Sequence, residues 1–321
     1  MMRVRPQLVT IETAAWRPEG WIAPRDIRTA VMLGCCFLAS VLPARRWPAA
    51  SRLMARAHLR LRPETARLLD QVGSIAGLDG DAIVRGAIAA DYRSNIEALR
   101  EILPGGWPCE TALAGREVLD QALAQARGAV LWASPFAGSD LLLKKVLASA
   151  GYSLTHLSAP SHPFSATRVG ALFLNPIRLR AVNRYLSRRV IVVYGNARPA
   201  LQVLKQVLSE NGVVSITATG TGARSSTFPF LGGTLDLAMG APLIAYQSGA
   251  ALIPAFTLAD ERGGYRVELG PDLSLPATVP QPQALHEMSS RYVALLESVV
   301  RAHPAQWEGW FHPGTWRSGP A

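Results

Sequence analysis

The chain has 321 residues, of which 49% are hydrophobic, and this composition excludes wholesale disorder. Its formal charge is +10, yet only 17% of its residues are charged. A basic and fairly apolar chain favours an anionic membrane surface over nucleic acid as partner, because it contains no zinc-finger spacing, RNP-type aromatic motif or long basic block. Its three cysteines form neither a metal-binding pattern nor a disulfide framework, which is typical of a reduced cytosolic setting.

The N-terminal region contains an apolar segment followed by basic residues. Residues 1–28 carry scattered prolines and charges, which predict an irregular arm. The uncharged run 29–44 is shorter than the about 18–20 residues that a spanning helix needs. We predict a helix in the interface of an anionic membrane, with Arg45 and Arg46 at the headgroups and Trp47 at the boundary. A buried hydrophobic helix with a solvated basic flank is the alternative.

The hydrophobic periodicity of the rest of the chain predicts helices first, then alternating strands and helices. Residues 64–103 and 113–127 have apolar positions at helical spacing. From Ala129 onward the predicted elements are strand 129–133, helix 140–150, strand 152–157, strand 190–194, helix 199–211, strand 213–219, helix 234–248, strands 251–258 and 265–270, and helix 283–302.

The alternation predicts a mixed α/β fold with a largely parallel sheet flanked by helices. We therefore divide the chain into two parts. Residues 1–62 form an irregular arm with a helical, membrane-associating region, and residues 63–321 form a single α/β domain.

The stretch 129–145 is the first candidate for a site. Its apolar strand ends in the loop Ser134–Gly138, and Ser139 is a suitable N-cap for a helix that begins at Asp140. In an open α/β sheet, ligands bind at the carboxyl ends of strands, where the N–H groups of a helix start can hold an anion. The alternative is that Asp140 is only an acidic residue of the kind favoured at helix starts.

Two further features are candidates for binding or catalysis. The Gly-Thr-Gly segment 220–222 follows a predicted strand, but Ser225 replaces the last glycine of the dinucleotide fingerprint. It predicts either a simple turn or an anion-binding loop with Arg224. None of the six histidines has zinc-helix spacing, and no Gly-x-Ser-x-Gly elbow is present. His162 lies in a mid-chain loop that can fold back over the site, with a surface imidazole as the alternative.

Four stretches of the chain carry a resemblance to a known family. Residues 129–142 form a strand, a loop and an acidic helix start, and residues 228–233 are Phe-Pro-Phe-Leu-Gly-Gly. Residues 238–256 end near an Ile-Pro pair, and the tail 306–316 begins with Gln-Trp and contains two further tryptophans. Together they resemble the lysophospholipid acyltransferase superfamily, and within it the bacterial lipid A late acyltransferases. That family has His-Phe-Gly-Asn-Trp-Glu after the strand, a Phe-x-Pro-Phe-Phe-Gly segment and a closing Gln-Trp run.

The resemblance implies a glycerol-3-phosphate acyltransferase-like fold. It also implies transfer of a fatty acyl chain to a hydroxyl of a lipid acceptor, either a lipid A precursor or a related membrane lipid. The donor is expected to be an acylated acyl carrier protein (acyl-ACP) or acyl-coenzyme A (acyl-CoA), which is a co-substrate, with no cofactor or metal beyond it. The expected location is the cytoplasmic face of the bacterial inner membrane, with peripheral association or a single N-terminal anchor.

In this family the carboxylate of a His-x4-Asp/Glu pair orients the histidine, which takes the proton of the acceptor hydroxyl. Here Asp140 stands at the acidic position and Pro135 at the histidine position, so the general base is missing. We predict Asp140 and Ser134 as catalytic residues, with Ser134, His162 or the substrate itself replacing the lost base. The expected substrate-binding residues are Phe136, Gly138, Arg189, Gly222 and Arg224.

The resemblance leaves several alternatives open. The basic residue that family members carry before strand 213–219 is Arg184, Arg188 or Arg189. The protein is an active acyltransferase, a catalytically impaired pseudoenzyme that binds an acyl chain or lipid at the membrane, or an unrelated α/β protein. The first hypothesis predicts that Asp140→Ala abolishes turnover, whereas the second predicts that it has no effect on lipid binding.

Overall fold

The structure is a computed structural model of the chain. It describes residues 8–12, 17–62, 68, 71–73, 75, 78–159, 164–192, 197–220, 222, 224–260, 263–312 and 316–317. The predicted site residue His162 and the residue Thr221 of the Gly-Thr-Gly segment lie outside these described residues.

Eight strands form one large sheet. They are β1 (Val9–Glu12), β2 (Thr111–Ala114), β3 (Ala129–Ala133), β4 (Leu154–Ser158), β5 (Arg188–Ile191), β6 (Val213–Thr217), β9 (Ala251–Ala259) and β10 (Tyr265–Leu269). Their order across the sheet is β1-β5-β4-β6-β3-β9-β10-β2. The first six strands in that order are mutually parallel, β10 is antiparallel to β9, and β2 is parallel to β10. The predicted mixed α/β fold with a largely parallel sheet is confirmed.

Three strands form a small antiparallel sheet, and nine helices surround the two sheets within the described part of the chain. The small sheet contains β7 (Ser225–Phe230), β8 (Gly233–Ala238) and β11 (Trp316–Arg317). The helices are α1 (Pro24–Ser40), α2 (Trp47–Leu61), α3 (Gly80–Ile102), α4 (Arg116–Ala124), α5 (Ser139–Ser149), α6 (Asn175–Asn183), α7 (Arg198–Ser209), α8 (Gly240–Ser248) and α9 (Gln281–Ala302).

The central strand β3 separates two hydrophobic layers. Side chains alternate between the two faces of a strand, so Val130 and Trp132 pack in the layer with α7, α8 and α9. Ala129, Leu131 and Ala133 point to the opposite layer, which α4, α5 and α6 cover. All five residues are buried because helices lie on both faces of the parallel part of the sheet. The carboxyl end of β3 therefore lies inside the sheet, with strands on both sides of it.

Two of the predicted helices are replaced by strands at their starts. Residues 111–114 form strand β2, and α4 begins only after Gly115, whose positive φ of 72° turns the chain. Residues 234–238, predicted as the start of a helix, belong to strand β8, which pairs with the unpredicted strand β7. In β8 buried and partly buried side chains alternate with a period of two, so pairing and burial outweigh local helix propensity there.

The N-terminal segment is packed into the main fold. Residues 9–12, which the sequence predicts to be irregular, form the edge strand β1 and pair in parallel with β5. Helix α1 begins at Pro24, earlier than predicted, and both α1 and α2 pack against α3. The division of the chain at residue 62 stays a prediction. Among the described residues, no helix combines the length and apolar character needed to cross a bilayer.

Candidate active site

The loop between β3 and α5 is clamped by the C-terminal segment. The N–H of Ala137 donates to the carbonyl of Gln306 at 2.8 Å, and the N–H of Glu308 donates to the carbonyl of Pro135 at 2.8 Å. Helix α5 begins at Ser139, and its N-cap is Gly138 rather than the predicted Ser139. Gly138 has a φ of +79°, and a Cβ there would lie 2.8 Å from Leu142 Cδ1, so this turn requires glycine.

The acidic residue at the helix start belongs to a buried ion pair. The Nζ of Lys144, one turn further along α5, donates to the carboxylate of Asp140 and to its backbone carbonyl. Lys144 is only 2% exposed. Burial lowers the pKa of its ammonium group while Asp140 opposes that effect, and the nearby cations Arg178 and Arg189 lower the pKa further.

Arg178 brings a second cation to the same carboxylate. Its Nε lies 3.8 Å from Asp140 Oδ2. Helix α3 holds the guanidinium, because Nη1 donates to Asn95 Oδ1 at 3.1 Å and Nη2 donates to Ser94 Oγ at 3.2 Å. The Nε itself is buried and has no hydrogen-bond acceptor among the described residues. Arg178 was not predicted as a site residue, since nothing in its spacing distinguishes it from Arg180 of the same helix.

Two further carboxyl groups, those of Asp91 and Glu308, face this cluster of charged side chains from α5 and α6. Asp91 of α3 has its pKa raised by burial, while Arg178 and a hydrogen bond from Asn95 lower it. Burial raises the pKa of Glu308 to about 8; Arg178 lowers it, and the negative charges of Asp91 and Asp140 raise it further. At neutral pH the Glu308 carboxyl is therefore close to its titration range, which is unusual for glutamate.

The cluster opens into a cleft of about 2010 Å³. Its polar part contains Asp91, Asn95, Asp140, Lys144, His156, Arg178 and Glu308. Its apolar walls come from α1 and α2 on one side and from the helices α7 to α9 on the other, with Ile27, Val31, Met32, Met54, Leu61, Leu201, Leu243 and Leu285. A cleft with apolar walls and a buried charged end fits an amphipathic ligand.

Three of the predicted site residues line this cleft together with Pro135. They are Asp140, Gly222 and Arg224. A Cβ at Gly222 would lie 2.8 Å from the Cβ of Ala238, so the backbone approaches β8 closely at this point. Arg224 is exposed at the cleft. Asp140, Gly222 and Arg224 thus line the same cleft.

The other predicted site residues do not line the cleft. Ser134 is fully buried, and its hydroxyl lies 2.6 Å from that of Tyr292. Phe136 is also fully buried and packs edge-on against Phe256. Gly138 shapes the turn, and Arg189 donates from Nη2 to Ser158 Oγ at 3.0 Å. The functional roles of these four residues stay predictions.

The alternatives for the basic residue lie elsewhere. Arg184 donates to the backbone carbonyl of Glu101, and Arg188 lies 4.0 Å from Glu210. At the N-terminal segment, Arg45 and Arg46 are exposed. Trp47 is buried, and its indole N–H donates to the carbonyl of Leu42 at 3.0 Å. Its ring therefore points into the protein rather than toward a membrane boundary.

Three histidines of the described residues line the cleft, and they are His58, His156 and His312. His156 on β4 is 5% exposed, and its Nδ1 lies 3.0 Å from Ser215 Oγ. His58 contacts Tyr92 on the apolar side, with Nδ1 and the hydroxyl 3.2 Å apart. No group of three or more metal-binding side chains is found in the part of the chain that the structure describes.

Comparison with known families assigns the chain. The sequence model of bacterial lipid A biosynthesis acyltransferases matches residues 106–318, which are 213 of the 321 residues. The chain belongs to this family. Comparison with curated proteins finds no significant match.

Membership of the lipid A acyltransferase family supports acyl transfer as the general activity. The matched segment contains the β3–α5 loop, Arg178 and Glu308, whereas α1, α2 and α3 precede it. In this lipid A acyltransferase family member, the cleft therefore combines residues from the segment that matches the family model with residues from the N-terminal helices, which lie outside that segment.

Proposed function

We propose that the protein transfers a fatty acyl chain from an acyl-ACP or acyl-CoA thioester to a hydroxyl of a membrane lipid, a lipid A precursor or a related lipid. The observation that supports this proposal is the cleft, in which apolar walls meet a buried charge cluster at the carboxyl end of β3. No cofactor or metal beyond the acyl donor takes part.

The size and lining of the cleft match the two substrates of this reaction. Ordinary small-molecule sites have volumes of about 300–1,000 Å³, and this cleft, at about 2010 Å³, has room for an acyl chain and an acceptor together. The apolar residues of α1 and α2 take the chain, and the exposed Arg224 takes an anionic group of the donor or acceptor. Asp140 is a positioning residue that keeps Lys144 and Arg178 at the reacting end.

The exposed side chains of the N-terminal helices support binding to an anionic lipid surface at the cytoplasmic face of the inner membrane. Exposed large apolar residues of this part are Trp21, Ile22, Ile27, Val31, Phe37, Leu38, Val41, Leu42, Leu53 and Leu61. Exposed arginines stand among them, including Arg45 and Arg46. Because Ile27, Val31 and Leu61 also line the cleft, a lipid can enter from the membrane side without crossing water.

An acyl-transfer assay with purified protein tests the proposal. Radiolabelled long-chain acyl-ACP and acyl-CoA are offered with lipid acceptors, and labelled product is expected. Asp140→Ala is expected to reduce turnover by about 100-fold, because displacement of the two cations disturbs the reacting geometry. The control Asp81→Ala removes only an exposed carboxylate paired with Arg85 and keeps activity. Absence of product with every donor, at concentrations where a histidine-containing family member works, contradicts the proposal.

A second candidate function is supported by Pro135 and by the buried pairing of Asp140. Proline accepts no proton, and Lys144 already neutralises the carboxylate that would orient a base. A pseudoenzyme would hold an acyl chain or lipid in the cleft without turnover. Mass spectrometry of an organic extract of the purified protein detects such a ligand, and lipid that co-purifies equally with Asp140→Ala, without any turnover by the wild type, favours this function.

A further inference from the structure

The backbone at Glu308 is joined to the loop where the family motif has its histidine. Glu308 opens a short 3-10 turn directly after Trp307, and its N–H donates to the carbonyl of Pro135 at 2.8 Å. Trp307 forms a β-bridge with Phe136, is 1% exposed and packs edge-on against Trp310, with ring centroids 4.6 Å apart. The position of Glu308 relative to Pro135 is therefore fixed by the core.

The Glu308 side chain differs from the other carboxylates of the cluster in its contacts. Asp140 pairs with Lys144, and Asp91 accepts a hydrogen bond from Asn95. Glu308 lines the cleft, and its carboxylate makes no hydrogen bond or ion pair with any residue that the structure describes, although the charge of Arg178 acts on it at longer range. A carboxylate that faces a cleft without a bound partner remains available for a proton from a ligand.

We propose that Glu308 is the general base of the acyl transfer, in the place of the histidine that Pro135 replaces; this inference rests on the proposed function. The ionised carboxylate accepts the proton of the acceptor hydroxyl while the hydroxyl oxygen attacks the thioester carbonyl carbon. The tetrahedral intermediate then collapses, the C–S bond breaks, and the leaving sulfur takes the electron pair and the proton from Glu308. An ester and a free thiol are formed, and Glu308 returns to its ionised state.

The electrostatic surroundings of Glu308 suit this role. A general base works best when its pKa lies near the working pH, and burial raises the pKa of Glu308 to about 8. The charged groups that face it are Asp91 from α3, Asp140 from α5 and Arg178 from α6. Because the base must be ionised, kcat/KM is expected to rise as the pH increases through about 8.

Kinetic measurements over a pH series test the assignment. They compare the wild type with Glu308→Gln, Glu308→Asp and the exposed control Glu117→Gln. Glu308→Gln is expected to lower kcat by about 10²–10⁴-fold, with KM for the acyl donor unchanged. The rising limb of its pH profile, which is the increase of kcat/KM with pH, is expected to be lost. Glu308→Asp is expected to keep part of the activity with a shifted limb, because its carboxylate lies at a different depth. Glu117→Gln is expected to behave as the wild type. Circular dichroism and thermal unfolding check that each variant is folded.

The contrary outcomes separate the two proposals. A wild type that transfers acyl chains while Glu308→Gln is equally active overturns the assignment of Glu308 and leaves the proposed function standing. A wild type with no turnover overturns both. If Glu308→Gln does not fold, an unshifted limb in Glu308→Asp shows that the limb belongs to another group. Loss of the limb in His156→Asn, with the limb kept in the Glu308 variants, assigns the base to His156 instead.

Discussion

The contacts of the Ser134 side chain are determined by packing rather than by its place in a motif. It lies between the end of β3 and Pro135, yet its hydroxyl points to Tyr292 on α9. The Tyr292 ring stacks on Trp132 with centroids 4.0 Å apart. Burial raises the pKa of the Tyr292 hydroxyl, and Ser134 opposes that effect as its hydrogen-bond partner. The Ser134–Tyr292 bond therefore ties the carboxyl end of β3 to α9.

We predict that Ser134→Ala lowers the free energy of unfolding by about 1–3 kcal/mol, because it leaves a buried hydroxyl without a partner. The double variant Ser134→Ala/Tyr292→Phe removes both polar groups and is expected to recover much of that loss. Urea unfolding of the single and double variants measures the coupling. Strictly additive losses would contradict the bond. A loss of kcat in folded Ser134→Ala would instead support the catalytic role expected from the motif.

Helices α1 and α2 carry buried and exposed apolar residues that the sequence could not separate. Buried residues such as Leu33, Cys36 and Trp47 pack them onto the fold, while other apolar residues of the same helices are exposed. Deleting residues 1–62 would remove β1 from the sheet edge and uncover α3. Substitutions that leave this packing intact are therefore the better test of membrane association.

We predict that Arg45→Gln/Arg46→Gln weakens binding to anionic liposomes by about 30-fold, since each arginine at such a surface contributes about 1 kcal/mol. Binding to neutral liposomes is expected to stay unchanged. Co-sedimentation with vesicles of both compositions measures the effect. The control Arg116→Gln/Arg291→Gln removes two exposed charges from α4 and α9. An equal loss in the control would show a general charge effect and not a docking face.

A polar network around Glu101 joins segments of the molecule that are distant in the chain. Lys145 of α5 donates to Glu101 Oε2 at 2.7 Å and to the carbonyl of Trp107 at 2.6 Å. Tyr185 donates to Glu101 Oε1 at 2.6 Å. The network connects the end of α3, the segment before β2, α5 and the end of α6. It therefore holds α5, and with it Asp140, against α3.

We predict that Glu101→Gln lowers the free energy of unfolding at neutral pH by about 3–5 kcal/mol, because the ammonium group of Lys145 loses its buried counter-ion. Burial alone would raise the pKa of Glu101, but the hydrogen bonds from Lys145 and Tyr185 lower it below the ordinary 4.5. This stabilisation is therefore present above pH 4.5 and is lost as the pH falls through the lowered pKa. Urea unfolding between pH 3 and pH 7 measures it.

As the pH falls, the difference in the free energy of unfolding between the wild type and Glu101→Gln is expected to become smaller. The exposed Glu117→Gln is expected to match the wild type at every pH. A difference that stays constant across the acid range would mean that the Glu101 charge is not the source of the stabilisation.

Local sequence information determined much of the architecture. The alternation of apolar runs from Ala129 onward predicts the parallel sheet and the loop at the carboxyl end of β3, because periodicity depends only on neighbouring residues. The i,i+4 spacing of Asp140 and Lys144 also makes their pairing on one helix face predictable. The β7–β8 hairpin was not predicted, because the two strands depend on pairing with each other and on the aromatic core that covers them.

The chemistry of the loop was decided by tertiary structure. The sequence predicts Asp140 at a helix start, and the family resemblance aligns Pro135 with the motif histidine, but neither says what surrounds these residues. Arg178 and Glu308 lie 38 and 168 residues after Asp140 in the chain, yet both reach the cluster. No sequence spacing predicts such contacts. The fold pairs the carboxylate of Asp140 with Lys144, whereas burial raises the pKa of Glu308 to about 8. Charge and desolvation depend on three-dimensional neighbours, and the pattern of residues along the chain does not contain them.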